Sequence, residues 1–148
     1  MTNLLGKFIL TIVVISILGF GFLLAYEPWF KLSKDFGSSV EPPEKILEQQ
    51  SCILGNTNIG GFLNIGIAEQ KLYLSHKSPL SYIIKPLLIE LNAITKIEPC
   101  VTPFLNSSYK FFIGEPNITT LILSQELIEK LEKDYGETIF SNELEQLS

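Results

Sequence analysis

The sequence predicts an N-terminal transmembrane helix followed by one small α+β, mainly β domain: about seven antiparallel strands closed by a C-terminal helix. Three observations predict it. Residues 8–26 carry no charged side chain. From residue 51 the apolar positions mostly recur with period two, broken by Gly, Asn and Pro turns. After Ser124 the spacing changes to three and four. A chain of 148 residues has room for one domain of ordinary size.

The apolar run Phe8 to Tyr26 would make a helix of roughly 28 Å, close to the roughly 30 Å hydrocarbon thickness of a bilayer. A cleaved signal peptide would have a shorter apolar region ending in a small-x-small site. Here Gly19-Phe-Gly21 lies inside the run and Phe22 to Leu24 follow it, so an uncleaved single span is expected. Tyr26, Trp29 and Phe30 are the expected membrane-interface anchors, since amphipathic rings favour the headgroup level. Lys7 precedes the span and Lys31 and Lys34 follow it, which favours a cytoplasmic domain.

The remaining boundaries follow from composition. Residues 1–7 are a short tail, and residues 27–43 read as an interfacial segment and linker ending in Ser-Ser-Val-Glu-Pro-Pro. Residues 44–136 are the globular unit, and residues 137–148 an acidic tail. The net charge of −5 arises late: residues 115–148 hold eight acidic residues and two Lys, whereas residues 41–114 hold six of each. All eleven basic residues are Lys, and that balance excludes a basic nucleic-acid binder.

Within the globular unit, Ser51–Leu54 is a short strand and Gly55-Asn-Thr-Asn58 a turn. Phe62–Ala68 places Leu63, Ile65 and Ile67 on one face. Ala68–Lys71 turns the chain into a returning strand, Leu72–Ser75. His76–Tyr82 reads as a loop and Lys85–Leu91 as a strand with Pro86 at its start or on an edge. Ile94–Glu98 alternates again, and Pro99 marks a bulge or bend. Tyr109–Ile113 and Ile118–Leu123 flank the hairpin turn Gly114-Glu-Pro-Asn117. Ser124 then caps a helix whose Leu127, Ile128, Leu131 and Tyr135 share one face. Glu126–Lys130 and Glu129–Lys133 are favourable pairs along it, and Gly136 ends it.

This order of elements resembles the pleckstrin-homology-like (PH-like) fold, and more narrowly uncharacterised bacterial single-pass membrane proteins that carry such a domain. The matching segments are Trp29–Leu32, Gly61–Ile67, Lys71–Ser75 and Lys85–Ile89, running on to Ile94-Thr95. The Pro and Trp usual near the end of that stretch are absent here, where Glu90, Leu91 and Ile94 stand instead. The resemblance implies seven strands in two near-orthogonal sheets with a capping helix. It implies no catalytic residue and no activity.

The residues carry little chemistry. Cys52 and Cys100 are the only thiols and form a candidate disulfide, closing a loop of about fifty residues for about 3–4 kcal/mol. The simpler reading is two small buried apolar residues. His76 is the only His and is expected in a solvated loop. No Gly-x-Ser-x-Gly, phosphate-cradling Gly loop or His-Glu-x-x-His occurs, so no catalytic, metal or cofactor residue is assigned and no cofactor is expected. Lys71, Lys77 and Lys85 could gather at one rim, but without an Arg fork specific lipid-headgroup binding is not expected. The expected function is a membrane-anchored, non-catalytic interaction or scaffold module. Its partners would be the bilayer through residues 8–26 and a protein at a sheet edge or beside the last helix. The alternative is an extracytoplasmic disulfide-containing or redox-linked membrane protein.

Overall fold

The computed structural model describes residues 2–39, 41–77, 83–136 and 140. The apolar N-terminal run is helix α1 (Thr2–Ala25), solvent-exposed along most of its length. Its stretch Asn3–Ala25 is long and apolar enough to cross a membrane. Thr11 bonds back to the carbonyl of Lys7 at 2.8 Å, so its hydroxyl is satisfied within the helix.

Helical hydrogen bonding continues past α1. Tyr26 N–H donates to Phe22 and Phe30 N–H to Tyr26, at 3.0 and 3.1 Å. Pro28 has no N–H to offer the preceding turn, and the chain resumes there as α2 (Glu27–Phe36). Trp29, Leu32, Ser33 and Phe36 recur at helical spacing, and Trp29 and Leu32 are fully buried. The segment expected to be interfacial linker is therefore in part a core helix.

The strands are β1 (Ile46–Leu54), β2 (Thr57–Ala68), β3 (Lys71–His76), β4 (Leu87–Glu90), β5 (Ile94–Val101), β6 (Ser107–Ile113) and β7 (Thr119–Ser124). They form one antiparallel sheet in the order β4-β3-β2-β1-β7-β6-β5. Two meanders, β1–β4 and β5–β7, join where Ile53 and Leu54 pair with Ile122 and Leu121. α2 packs on both β4 and β7, which stand four places apart in that order. A flat sheet would separate them by about 19 Å, and a helix is only about 10 Å across, so the sheet curls around α2. The result is a half-barrel.

Helix α3 (Gln125–Tyr135) covers β2, β6 and β7. Leu127 N–H donates to the Ser124 hydroxyl at 3.1 Å, and Gly136 takes the left-handed C-terminal position at φ 82°. The core extends past the expected domain end. Phe140 is buried and sets its ring edge-on to Phe111 at 5.1 Å. Pro99 lies within β5, an edge strand where its missing donor is harmless; the register shift falls earlier, between Ile94 and Lys96.

The β2–β3 connection is a two-residue turn with Glu69 at φ 52° and Gln70 at φ 60°. Both central residues are left-handed, the geometry that favours Asn-Gly. E69N/Q70G together should stabilise the fold by about 1 kcal/mol, because the left-handed penalty disappears. A thermal midpoint in detergent checks it; an unchanged or lowered midpoint would contradict the expectation.

Candidate functional site

Tyr26, Thr57 and His76 gather where α1 meets the half-barrel. Thr57, at the start of β2, donates its hydroxyl to the carbonyl of Ala25, the last residue of α1. Gly55 lies against Pro28; a Cβ there would come within 2.7 Å of the Pro28 Cγ. Gly55 also has φ +60°, so the β1–β2 hairpin reaches the helix end only with glycine at this position. On the other side, Tyr26 Oη and His76 Nε2 share a hydrogen bond at 2.7 Å.

His76 is not in a solvated loop. It ends β3 and is buried, 4% exposed. Its ring stacks on Phe62 at 5.6 Å and 7°, and meets Tyr26 and Trp29 edge-on at 5.4 and 6.4 Å. Antiparallel pairing of Leu63 with His76 brings Phe62 alongside it. The loop expectation failed because polar neighbours in the sequence hid an aromatic cage assembled from Tyr26 between the two helices, Trp29 of α2 and Phe62 of β2.

Trp29 is likewise corrected. It is 1% exposed, and its Nε1–H donates to the carbonyl of Lys85 at 2.8 Å. A ring with both its faces and its N–H satisfied inside the domain does not anchor at a bilayer interface. Tyr26 and Phe30 remain half-buried at the junction. The signal for α2 was present in the helical spacing of Trp29, Leu32, Ser33 and Phe36.

Comparison with protein-family models, with curated proteins and with solved structures finds no match. The geometry alone therefore carries the functional reading.

Burial disfavours the protonated imidazole, so the His76 pKa lies below its ordinary 6.5. The unfolded chain takes that proton at about 6.5, the folded chain only at lower pH. This contribution to stability is complete above 6.5 and is lost as pH falls through the folded value. Urea unfolding at about pH 7.5 and about pH 5 should show a larger acid loss for the native chain than for His76→Phe. Equal losses would remove His76 as the cause.

The structure does not join the candidate pair Cys52 and Cys100. Both thiols are free, with Cys52 buried on β1 and Cys100 half-buried on β5. β7 and β6 lie between those strands in the sheet order, and a disulfide needs Cα atoms within about 7 Å. Burial pushes the Cys52 thiol up to about 12, which disfavours the reactive thiolate. Burial also raises the Cys100 thiol, with Lys110 opposing the shift. Maleimide should therefore label Cys100 in the native chain and Cys52 only after unfolding. Equal labelling rates would contradict the buried position of Cys52.

The groove beside α3 is present between Lys45, Gly66, Ala68, Leu131, Asp134 and Tyr135, with a volume of about 260 Å³. Lys45 Nζ reaches across it to the carbonyl of Asp134 at 3.4 Å. That volume is below the usual range for a small-molecule site, roughly 300–1,000 Å³, and suits a side chain instead. Two other clefts, of about 450 and about 460 Å³, lie at the N-terminus of α3 and beside the β6–β7 turn. No His or Cys lines any of the three. Among the described residues no group of His, Cys, Asp and Glu could hold a metal ion.

Proposed function

We propose that this chain is a single-pass, membrane-tethered interaction module without catalytic activity, built on a PH-like half-barrel and facing the cytoplasm. The observation that carries it is the locked junction. Thr57 on Ala25, Tyr26 on His76 and buried Trp29 and Leu32 fasten the domain to the end of the apolar helix. A domain held this way presents its outer surfaces at a constant height and orientation from the bilayer. The two meanders joined through β1 and β7, with a closing helix, support the PH-like assignment. The lysine balance about the span supports the cytoplasmic side.

Partner surfaces are the free edge of β5 and the groove beside α3, where an extended peptide could add backbone hydrogen bonds or seat a side chain. A photo-crosslinking residue at Glu98 on that edge, or at Asp134 in the groove, should give a discrete protein adduct in native membranes. Neither position giving an adduct above that at exposed Lys85 would defeat the reading. Sidedness is read from Ser39→Cys on a Cys100→Ser background: an impermeant maleimide should label it only after lysis, and labelling of intact cells would reverse the orientation.

A further inference from the structure

Two large apolar side chains of the domain stand exposed: Phe62, 52% exposed, and Ile83, 63% exposed. Phe62 stacks on His76 at 5.6 Å, and His76 meets Tyr26 at 5.4 Å, which bounds the Phe62–Tyr26 ring separation at about 11 Å. Tyr26 directly follows α1. Through His76, the Phe62 ring therefore lies within about 11 Å of the Tyr26 ring at the helix end. Lys77 N–H donates to the Phe62 carbonyl at 2.7 Å, tying the start of the β3–β4 connection to the same place. Ile83 is in that connection, and its neighbours Ile84 and Lys85 are fixed, Ile84 by burial and Lys85 by the Trp29 bond.

We propose that Phe62 and Ile83 form a rim that seats the domain on the lipid surface beside its own span, at the boundary between acyl chains and headgroups. The inference rests on the membrane-tethered reading above. The interfacial layer is roughly 6 Å thick on each side of the hydrocarbon, so a ring next to the helix end lies within reach of it. Lys77 and Lys85 flank the rim, with Glu48 paired to Lys77 at 3.6 Å; this leaves an excess of positive charge towards the headgroups. The rim supplies the aromatic contact that Trp29, buried in the core, does not. Apolar exposure elsewhere provides an internal comparison. Val101 and Phe104 are 89% and 68% exposed, but they adjoin Ser107 and Ser124. Thr119, at the opposite end of β7 from Ser124, is the residue that adjoins Gly55. About 17 Å of strand thus separates them from the junction.

The test uses the full chain in vesicles of phosphatidylcholine and phosphatidylglycerol containing nitroxide-labelled lipid. A fluorophore is attached singly at Phe62→Cys, Ile83→Cys, Val101→Cys, Phe104→Cys or Leu18→Cys, each on Cys100→Ser. Quenching at positions 62 and 83 should exceed that at 101 and 104 several-fold, with Leu18 strongly quenched. Equal quenching at all four domain positions while Leu18 is quenched overturns the rim and leaves the span standing. An unquenched Leu18 removes the span and the rim together. Should the label at 62 unfold the domain, position 83 decides alone, since Ile83 is mostly exposed.

Discussion

Trp29→Ala should destabilise the domain by about 3–5 kcal/mol, the range for removing a buried aromatic from a core. The side chain is 1% exposed and fills the space between the helices and the curled sheet. Its loss also strands the Lys85 carbonyl, which accepts the indole N–H at 2.8 Å. Domains of this size have only about 5–15 kcal/mol in total, so the variant should unfold at much lower urea or be cleared from the membrane. Trp29→Phe keeps most of the apolar contact and should cost less, about 1–2 kcal/mol from the unmet carbonyl. A Trp29→Ala chain with native urea resistance would show that this residue sits outside the core.

Truncation should have the larger effect. A soluble fragment beginning at Glu44, the boundary suggested by composition, lacks both Trp29 and Leu32. Their joint removal should cost about 5–10 kcal/mol, comparable with the whole stability of such a domain. That fragment should show no cooperative unfolding transition. A fragment beginning at Glu27 keeps α2 and should unfold cooperatively, as should one that also keeps Phe140 at the other end. Cooperative unfolding of the Glu44 fragment would mean that α2 is an accessory helix.

These two expectations arise at the place where sequence and structure part. The hairpin turns were legible because they depend on local backbone chemistry: Gly55 at φ +60°, and Gly114 at φ +91° before the β6–β7 return. Helix α3 was legible for the same reason, with Ser124, the apolar face and Gly136 all within thirteen residues. The Glu126–Lys130 pair forms at 3.2 Å as spacing suggests. By contrast, the extent of β1 was understated, since Gln49 at φ 57° and two register shifts interrupt its alternation with β2.

The site was harder to read. Tyr26, Phe62 and His76 are separated by 36 and 14 residues along the chain, and nothing local marks them as neighbours. Their contact depends on β2–β3 register and on the seating of α2 inside the curl. Trp29 shows the ambiguity most clearly, because an aromatic after an apolar run satisfies the pattern of an interface anchor and that of a core helix equally.

By itself, then, the sequence determined the elements whose cause is local: an apolar helix long enough to span, the turns, the capped last helix, and the alternation of most strands. Only the tertiary structure decided that α2 is core, that His76 is caged, and that Cys52 and Cys100 stand apart. Those outcomes depend on which surfaces meet across the sheet. Long-range packing sets that choice, and adjacent residues do not encode it.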